Sequence, residues 1–462
     1  MTRSLVTFAV FVFFSLAAAG SELPLLAAVY EDDLEEAIRL VEEGAAVNET
    51  NEYGVAALSL ACGNGNAALV KVLLEAGADP DTSLKGGETA LMTAARTGRV
   101  EPISLLLSHG ADLAATDWKK QDALMWAAAE GHAAAVSRLL KAGAEPHRTL
   151  ASGFSALFFA ARNGHSDVVS LLLDTGIDPD IATTNSKVGR KGIPKGTTAL
   201  RLTVENGHFE TALVLLEAGA DPDDQRSGYA PLHVLTWVRK PNRGDGEDGL
   251  PPPAIRGEMS SLDFARILIE TYGAKVDLPL TTGSAGGPRF GTRGATPFLL
   301  ACKTADFPYL KLLHELGADV ATTNQDGTSA LLTAAGVGSR TPEEEAGVES
   351  EALEVVAWLL ELGADVNSTN RNRETAMHGA AYRNWPKMVA LLEENGADIE
   401  IWNQKNKHRW TPLLIAQGFR PGNFKPSAAT EAAIAEVMLA HNITPPPAPK
   451  RPVVGKPKAY TP

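Results

Sequence analysis

The chain has 462 residues, more than one hydrophobic core sustains, so it must either divide into domains or repeat a small unit. With 44% hydrophobic and 21% charged residues it has the composition of a folded soluble protein, which excludes a disordered chain and a membrane bundle. A net charge of −14 excludes a general nucleic-acid binder, which needs a basic footprint.

The first segment in chain order reads as a secretory signal. Arg3 precedes an uncharged, Val/Phe/Leu-rich run from Leu5 to Gly20. Ala17 and Ala19 follow at the −3 and −1 spacing that a signal peptidase reads, and polar Ser21-Glu22 come next. The apolar run is shorter than the ~20 residues a membrane span needs. Residues 1–19 are therefore expected to be a signal peptide, and the mature chain periplasmic or extracellular. No Cys lies near the cleavage site, which argues against a lipid anchor.

From there the chain repeats itself. A glycine closes a Leu/Val-rich segment at Gly44, Gly77, Gly110, Gly143 and Gly176, a 33-residue period. It then does so at longer or mixed intervals at Gly219, Gly273, Gly317, Gly363 and Gly396, and Asn442 stands in the same place at the end. Gly65, Gly98, Gly131, Gly164 and Gly207 form a second series inside the units. In Glu88–Asp112, the Thr89 hydroxyl can cap a short helix whose packing face is Ala90-Leu91 and Ala94-Ala95. Gly98 makes a turn, and Ile103, Leu105, Leu106 and Leu107 supply the apolar side of a second helix that Gly110 ends. Neither helix is long enough to stand alone, so each pair must stack on its neighbours.

Thr89-Ala-Leu-Met-Thr-Ala-Ala, Gly98 and Leu105-Leu-Leu-Ser-His-Gly110-Ala-Asp resemble the ankyrin repeat. So do Ala230-Pro-Leu-His233, Thr296-Pro, Thr375-Ala-Met-His378, Thr411-Pro-Leu and the glycine-histidine pairs at His132, His165 and His208. The resemblance implies an all-α ankyrin-repeat solenoid of about eleven helix–turn–helix units with β-hairpin fingers, spanning residues 20–442. It departs from the pattern at Ala56 and Ala230 (no capping Thr), at Asp122 (a substitute cap) and at Ala305 (no inner-turn glycine). Units within 20–180 are regular. Within 181–442 extra residues fall in fingers at Ile181–Gly196 (with Lys187, Arg190 and Lys191) and Leu278–Gly294, and between paired helices at Val238–Ser260, Gly338–Ser350 and Gly418–Ala429. Finger insertions and inter-helix insertions are expected on opposite edges of the array. Residues 443–462, rich in proline and carrying Lys450, Arg451, Lys456 and Lys458, are expected to be a disordered basic tail.

No motif of catalytic spacing is present, neither His-Glu-x-x-His, Gly-x-Ser-x-Gly, a phosphate-binding loop nor Cys-x-x-Cys. No catalytic residue, metal site, cofactor or small-molecule substrate is expected. The resemblance gives His132, His165, His208, His233 and His378 structural hydrogen bonds between repeats. Asp245, Glu247 and Asp248 lie in a glycine-punctuated acidic loop without regular calcium-ligand spacing, and Arg243-Gly244-Asp245 is read as a chance tripeptide. Cys62 and Cys302 recur at one position of distant repeats and are expected to be buried, unbridged thiols. Asn48, Asn367 and Asn442 head glycosylation sequons that matter only in a glycosylating source.

Recognition of a protein partner remains, and the resemblance places it on finger tips and the exposed end of each inner helix. The positions are Trp118, Lys119, Gln121 and Glu130; Phe154, Arg162 and Asn163; Arg226 and Tyr229; Lys303; and Arg371, Tyr382, Arg383, His408, Arg409 and Trp410. Arg371, Arg373, Arg383, Lys405, Lys407, His408 and Arg409 are expected to converge near the C-terminal end, facing an acidic partner. The chain is read as a monomeric, non-catalytic scaffold or inhibitor. Two alternatives are an accessory subunit of an envelope redox or transport complex, with the basic tail its one route to a membrane, and an enzyme with its site in the insertions.

Overall fold

The computed structural model describes residues 23–184, 193–242, 257–287, 289–341, 344–419 and 426–449. The signal segment, the acidic loop with its Arg243-Gly244-Asp245, the cations Lys187, Arg190 and Lys191, and the four tail cations lie outside the described residues. Those residues form two compact units divided between Asp221 and Pro222, with 257–258 belonging to the first.

The first unit holds six helix pairs among its described residues. They are α1 (Pro24–Tyr30) with α2 (Leu34–Glu42), α3 (Ala57–Asn64) with α4 (Ala67–Glu75), and α5 (Ala90–Arg96) with α6 (Val100–Ser108). Then come α7 (Ala123–Glu130) with α8 (Ala133–Lys141), α9 (Ala156–Asn163) with α10 (Ser166–Leu173), and α11 (Ala199–Glu205) with α12 (Phe209–Glu217). First helices stack on first helices and second on second. The composition of the pairs explains why: in α5 Ala90, Leu91, Met92, Thr93, Ala94 and Ala95 are all buried, whereas α6 buries Pro102, Ile103 and Leu106 and leaves Leu105 and Leu107 half-buried. A helix buried on nearly every side needs small residues and neighbours on both sides.

The second unit holds five pairs among its described residues. These are α13 (Pro231–Arg239) with α14 (Ser261–Glu270), α15 (Pro297–Thr304) with α16 (Phe307–Glu315), and α17 (Ala330–Ala334) with α18 (Glu349–Glu361). The last two are α19 (Ala376–Arg383) with α20 (Pro386–Glu394), then the short α21 (Ile399–Trp402), and α22 (Pro412–Ala416) with α23 (Ala428–Ala440). The same inner-on-inner and outer-on-outer stacking holds.

Three devices recur along the array, the first closing helix starts and the other two joining adjacent pairs. Thr89, Asp122, Thr198, Thr296 and Thr411 each accept a bond from the backbone N–H three residues on, satisfying a helix-start donor; Ala56 and Ala230 make no such bond. The Asp of the Gly-Ala-Asp run donates its backbone N–H to an Asp or Asn of the preceding repeat, as in Asp112 to Asp81 Oδ1 at 2.7 Å and Asp398 to Asn367 Oδ1 at 2.7 Å. The inner turns bring histidine under glycine. His132 Nε2 reaches the Arg96 carbonyl at 2.9 Å, and a Cβ on Gly98 would come within 2.6 Å of its ring. His165 and His208 repeat that bond to Ala129 and Arg162 at 3.0 and 3.1 Å, and His233 bonds the Leu278 carbonyl at 3.0 Å. His378 bonds Thr375 of its own helix start, at 3.0 Å to the hydroxyl, and its ring also faces the backbone of Gln404 and Trp410 in the following finger.

The fingers are smaller than hairpins. Among the described residues they form isolated antiparallel bridges, such as Thr50 with Ala56 and Thr323 with Ser329, and no extended strand. Outside the two long finger insertions they are closed by a four-residue turn whose first residue is often Asp or Asn, with the side chain accepting two backbone N–H bonds. Asn370 accepts from Asn372 and Glu374 at 2.9 and 3.0 Å, and Asn406 from His408 and Trp410 at 2.9 and 3.1 Å. The thiols of Cys62 and Cys302 are buried and unbridged, and burial pushes Cys62 up to about 12.

Candidate functional site

In the first unit the finger tips carry exposed aromatics. Trp118 is 73% exposed and Tyr53 45%, and Lys119 Nζ lies 5.0 Å from the Trp118 ring centroid. The Trp118 N–H donates to the Gly86 carbonyl at 2.9 Å, so neighbouring tips are tied by backbone. Glu130 and Arg162 are exposed as expected. Asn163 is instead half-buried and donates to the Ala129 carbonyl at 2.6 Å, a bond between repeats.

Two further expectations in this unit fail. Gln121 is buried where its finger returns, its N–H donating to Asp117 Oδ1 at 2.8 Å. Phe154 is buried too, packed 5.4 Å from Phe158 and 5.3 Å from Phe159, because its finger folds down onto α9. Arg162 covers that aromatic cluster, 5.6 Å from the Phe154 centroid.

In the second unit the tips are basic. Arg371, Arg373, Lys405, Lys407 and Arg409 are exposed, and among the described residues none has a carboxylate within ion-pair distance. Backbone bonds set the tips side by side: Arg371 N–H to the Asp326 carbonyl at 2.8 Å and Lys407 N–H to the Asn372 carbonyl at 2.9 Å. Arg373 and Arg409 occupy left-handed positions, φ +59° and +68°, where most other tips have glycine. His408 and Trp410 are half-buried and stacked at 5.1 Å. Arg226 is exposed but paired with Asp224, Nη2 to Oδ2 at 2.6 Å, and Tyr229 packs edge-on against Trp237 at 5.0 Å. Lys303 is half-buried.

Tyr382 and Arg383 are not on the surface. They are 2% and 4% exposed, because the finger ending at Trp410 covers one and the insertion after α17 covers the other. Tyr382 donates to Glu374 at 2.9 Å, and Asn406 donates to both, forming a buried network in which burial pushes the Glu374 carboxyl up. Arg383 pairs with Glu345 at 3.3 Å, donates to the carbonyls of Ala346 and Gly347, and lies 4.5 Å from the Trp385 centroid. Glu345 is 38 residues before Arg383, and no helical or strand period links positions so far apart. The same holds for Arg239 and Asp306, a buried pair at 2.7 Å that joins α13 to α16.

The insertions also depart from expectation. The finger loop after Leu278 and the inter-helix loop after α17 meet rather than diverge: Phe290 donates its N–H to the Gly338 carbonyl at 3.0 Å. The cause is the shortness of α17. It ends at Ala334, so its following loop starts beside the inner helices, within reach of the long finger. Among the described residues no group of three or more His, Cys, Asp or Glu is placed to hold a metal ion, and no helix is long and apolar enough to cross a membrane.

A family model for ankyrin repeats in three copies matches residues 25–117, 116–183 and 346–424, and a single-repeat model matches 195–228. The matches cover more than half of the sequence, and the chain belongs to the ankyrin-repeat family. Ankyrin repeats form protein–protein interaction domains, generally without catalysis. Among solved structures it is similar to the human ASB11 ankyrin repeat domain, at 24% identity over 45% of this chain and 90% of that one, with a TM-score of 0.40. No curated protein matches.

Proposed function

We propose that the protein is an exported, monomeric, non-catalytic scaffold or inhibitor whose second unit docks an acidic protein surface through its basic finger tips. One observation carries this reading: five exposed cations, none with a carboxylate partner among the described residues, stand on adjacent tips of a chain whose net charge is −14. Two of them hold a backbone conformation that costs an arginine about 1–2 kcal/mol, and strain of that kind persists where function needs the side chain. Opposite charge on a partner would speed encounter and fix orientation, while the acidic remainder repels other polyanions, nucleic acid included. On the first unit, Trp118 with Lys119 is the contact point of the type that dominates binding energy. Export rests on the sequence of residues 1–19, and membrane contact would run through the tail cations alone.

The test is cross-linking and mass spectrometry of the exported protein beside its Arg371→Glu/Arg409→Glu variant. A cross-linked acidic partner should vanish with the charge reversal. Equal capture by both forms would refute the docking surface.

A further inference from the structure

The meeting of the two insertions frames an open cleft of about 460 Å³ in the second unit, lined by Arg289, Phe290, Lys303, Arg340, Thr341 and Glu345. That volume is within the range of small-molecule sites. It lies between the segments that the family models match, in a part of the chain where the repeat is interrupted.

Its charge is unbalanced. Among the described residues Arg289, Lys303 and Arg340 have no carboxylate partner. Among the described residues the one acid in the wall, Glu345, is already engaged: it accepts from Ser339 Oγ at 2.8 Å and from the backbone N–H groups of Arg340 and Thr341 at 2.8 and 3.4 Å, and it pairs with Arg383. Its negative charge thus goes to folding the loop and, among the described residues, leaves the three cations without an acidic partner.

The wall is also held in place before anything binds. Phe290 and Gly338 are joined through backbone, and a Cβ on Gly338 (φ +81°) would strike the Phe290 backbone. Arg383 bonds two carbonyls at the far end of the same loop, and Lys303 is positioned 6.0 Å from the Phe290 centroid. Three cations gathered around a concavity whose backbone is already set, with Lys303 seated against Phe290, favour a ligand with several oxyanion groups.

We propose that this cleft binds a small polyanion bearing two or more phosphoryl or carboxylate groups, a site separate from the finger tips. The test is calorimetric titration of the full chain with inorganic pyrophosphate and, in parallel, citrate. A saturable 1:1 heat with at least one of them is expected, and which one binds tells phosphoryl from carboxylate preference. Lys303→Gln and Arg340→Gln should each weaken binding about tenfold, whereas Arg373→Gln, a tip cation outside the cleft, should leave it within about twofold. Far-UV circular dichroism confirms that each variant is folded. No saturable heat with either probe, or equal weakening by Arg373→Gln, overturns the site. Arg340→Gln should leave cross-linking to a protein partner unchanged, so this outcome is separable from that of the docking surface.

Discussion

Acidification should weaken the second unit through two buried histidines. Burial pushes His233 and His378 each down to about 4, against an ordinary value of 6.5. A depressed histidine contributes stability that is intact above pH 6.5 and is lost as pH falls from 6.5 towards 4, because the unfolded chain takes up the proton first. At about 1.4 kcal/mol per pH unit, the loss between pH 7 and pH 5 is about 2 kcal/mol for each histidine, so about 4 kcal/mol together, a large part of a typical domain's stability. Glu374 acts in the opposite direction. Burial raises its carboxyl, so protonation relieves a buried charge as pH falls and offsets part of the loss. The assay is urea unfolding at pH 7 and pH 5, followed by tryptophan fluorescence, for the wild type, His233→Gln and His378→Gln. Each variant should be less stable than the wild type at pH 7, since His233 bonds Leu278 and His378 bonds Thr375. Each should also lose about 2 kcal/mol less than the wild type on going to pH 5. A variant whose stability falls by as much as the wild type's would refute the assignment.

Other outcomes follow from the same contacts. Arg383→Met removes one member of a buried pair and strands the carbonyls of Ala346 and Gly347; unfolding titrations should show a loss of about 3–5 kcal/mol, and the polyanion site should fail with it. Arg373→Gly and Arg409→Gly relieve left-handed strain and should raise stability by up to about 1 kcal/mol each in chemical denaturation, while partner cross-linking declines. Trp118→Ser alters a side chain that is 73% exposed; thermal unfolding should move by no more than about 0.5 kcal/mol, and any partner of the first unit should bind more weakly. Asp122→Ala deletes the cap bond to Met125 and should cost about 1 kcal/mol in the first unit.

Much of the fold was legible because each repeat is a local event. A capping Thr89 or Asp122, the small-residue face of α5, the Gly98 turn and the stripe of Ile103 and Leu106 all lie within one short window. Their period declares itself without knowledge of distant contacts. Even the left-handed Ala305 could be placed, since periodicity marks the slot whatever residue fills it.

What the sequence could not decide was which polar residues face solvent. Tyr382 and Arg383 sit at positions exposed in a regular repeat, yet a finger and an insertion fold over them; Phe154 and Gln121 turn inward within their own finger. The meeting of Phe290 with Gly338, and the clamp of Arg383 on Glu345, depend on where loops of irregular length come to rest. Burial of a polar group is settled by the whole set of its neighbours, and a repeat pattern specifies neighbours only where the spacing is kept. The helix pairs and the basic residues of the last finger tips were therefore written in the chain itself, while the cleft and the burial of Tyr382 and Arg383 were decided by tertiary packing.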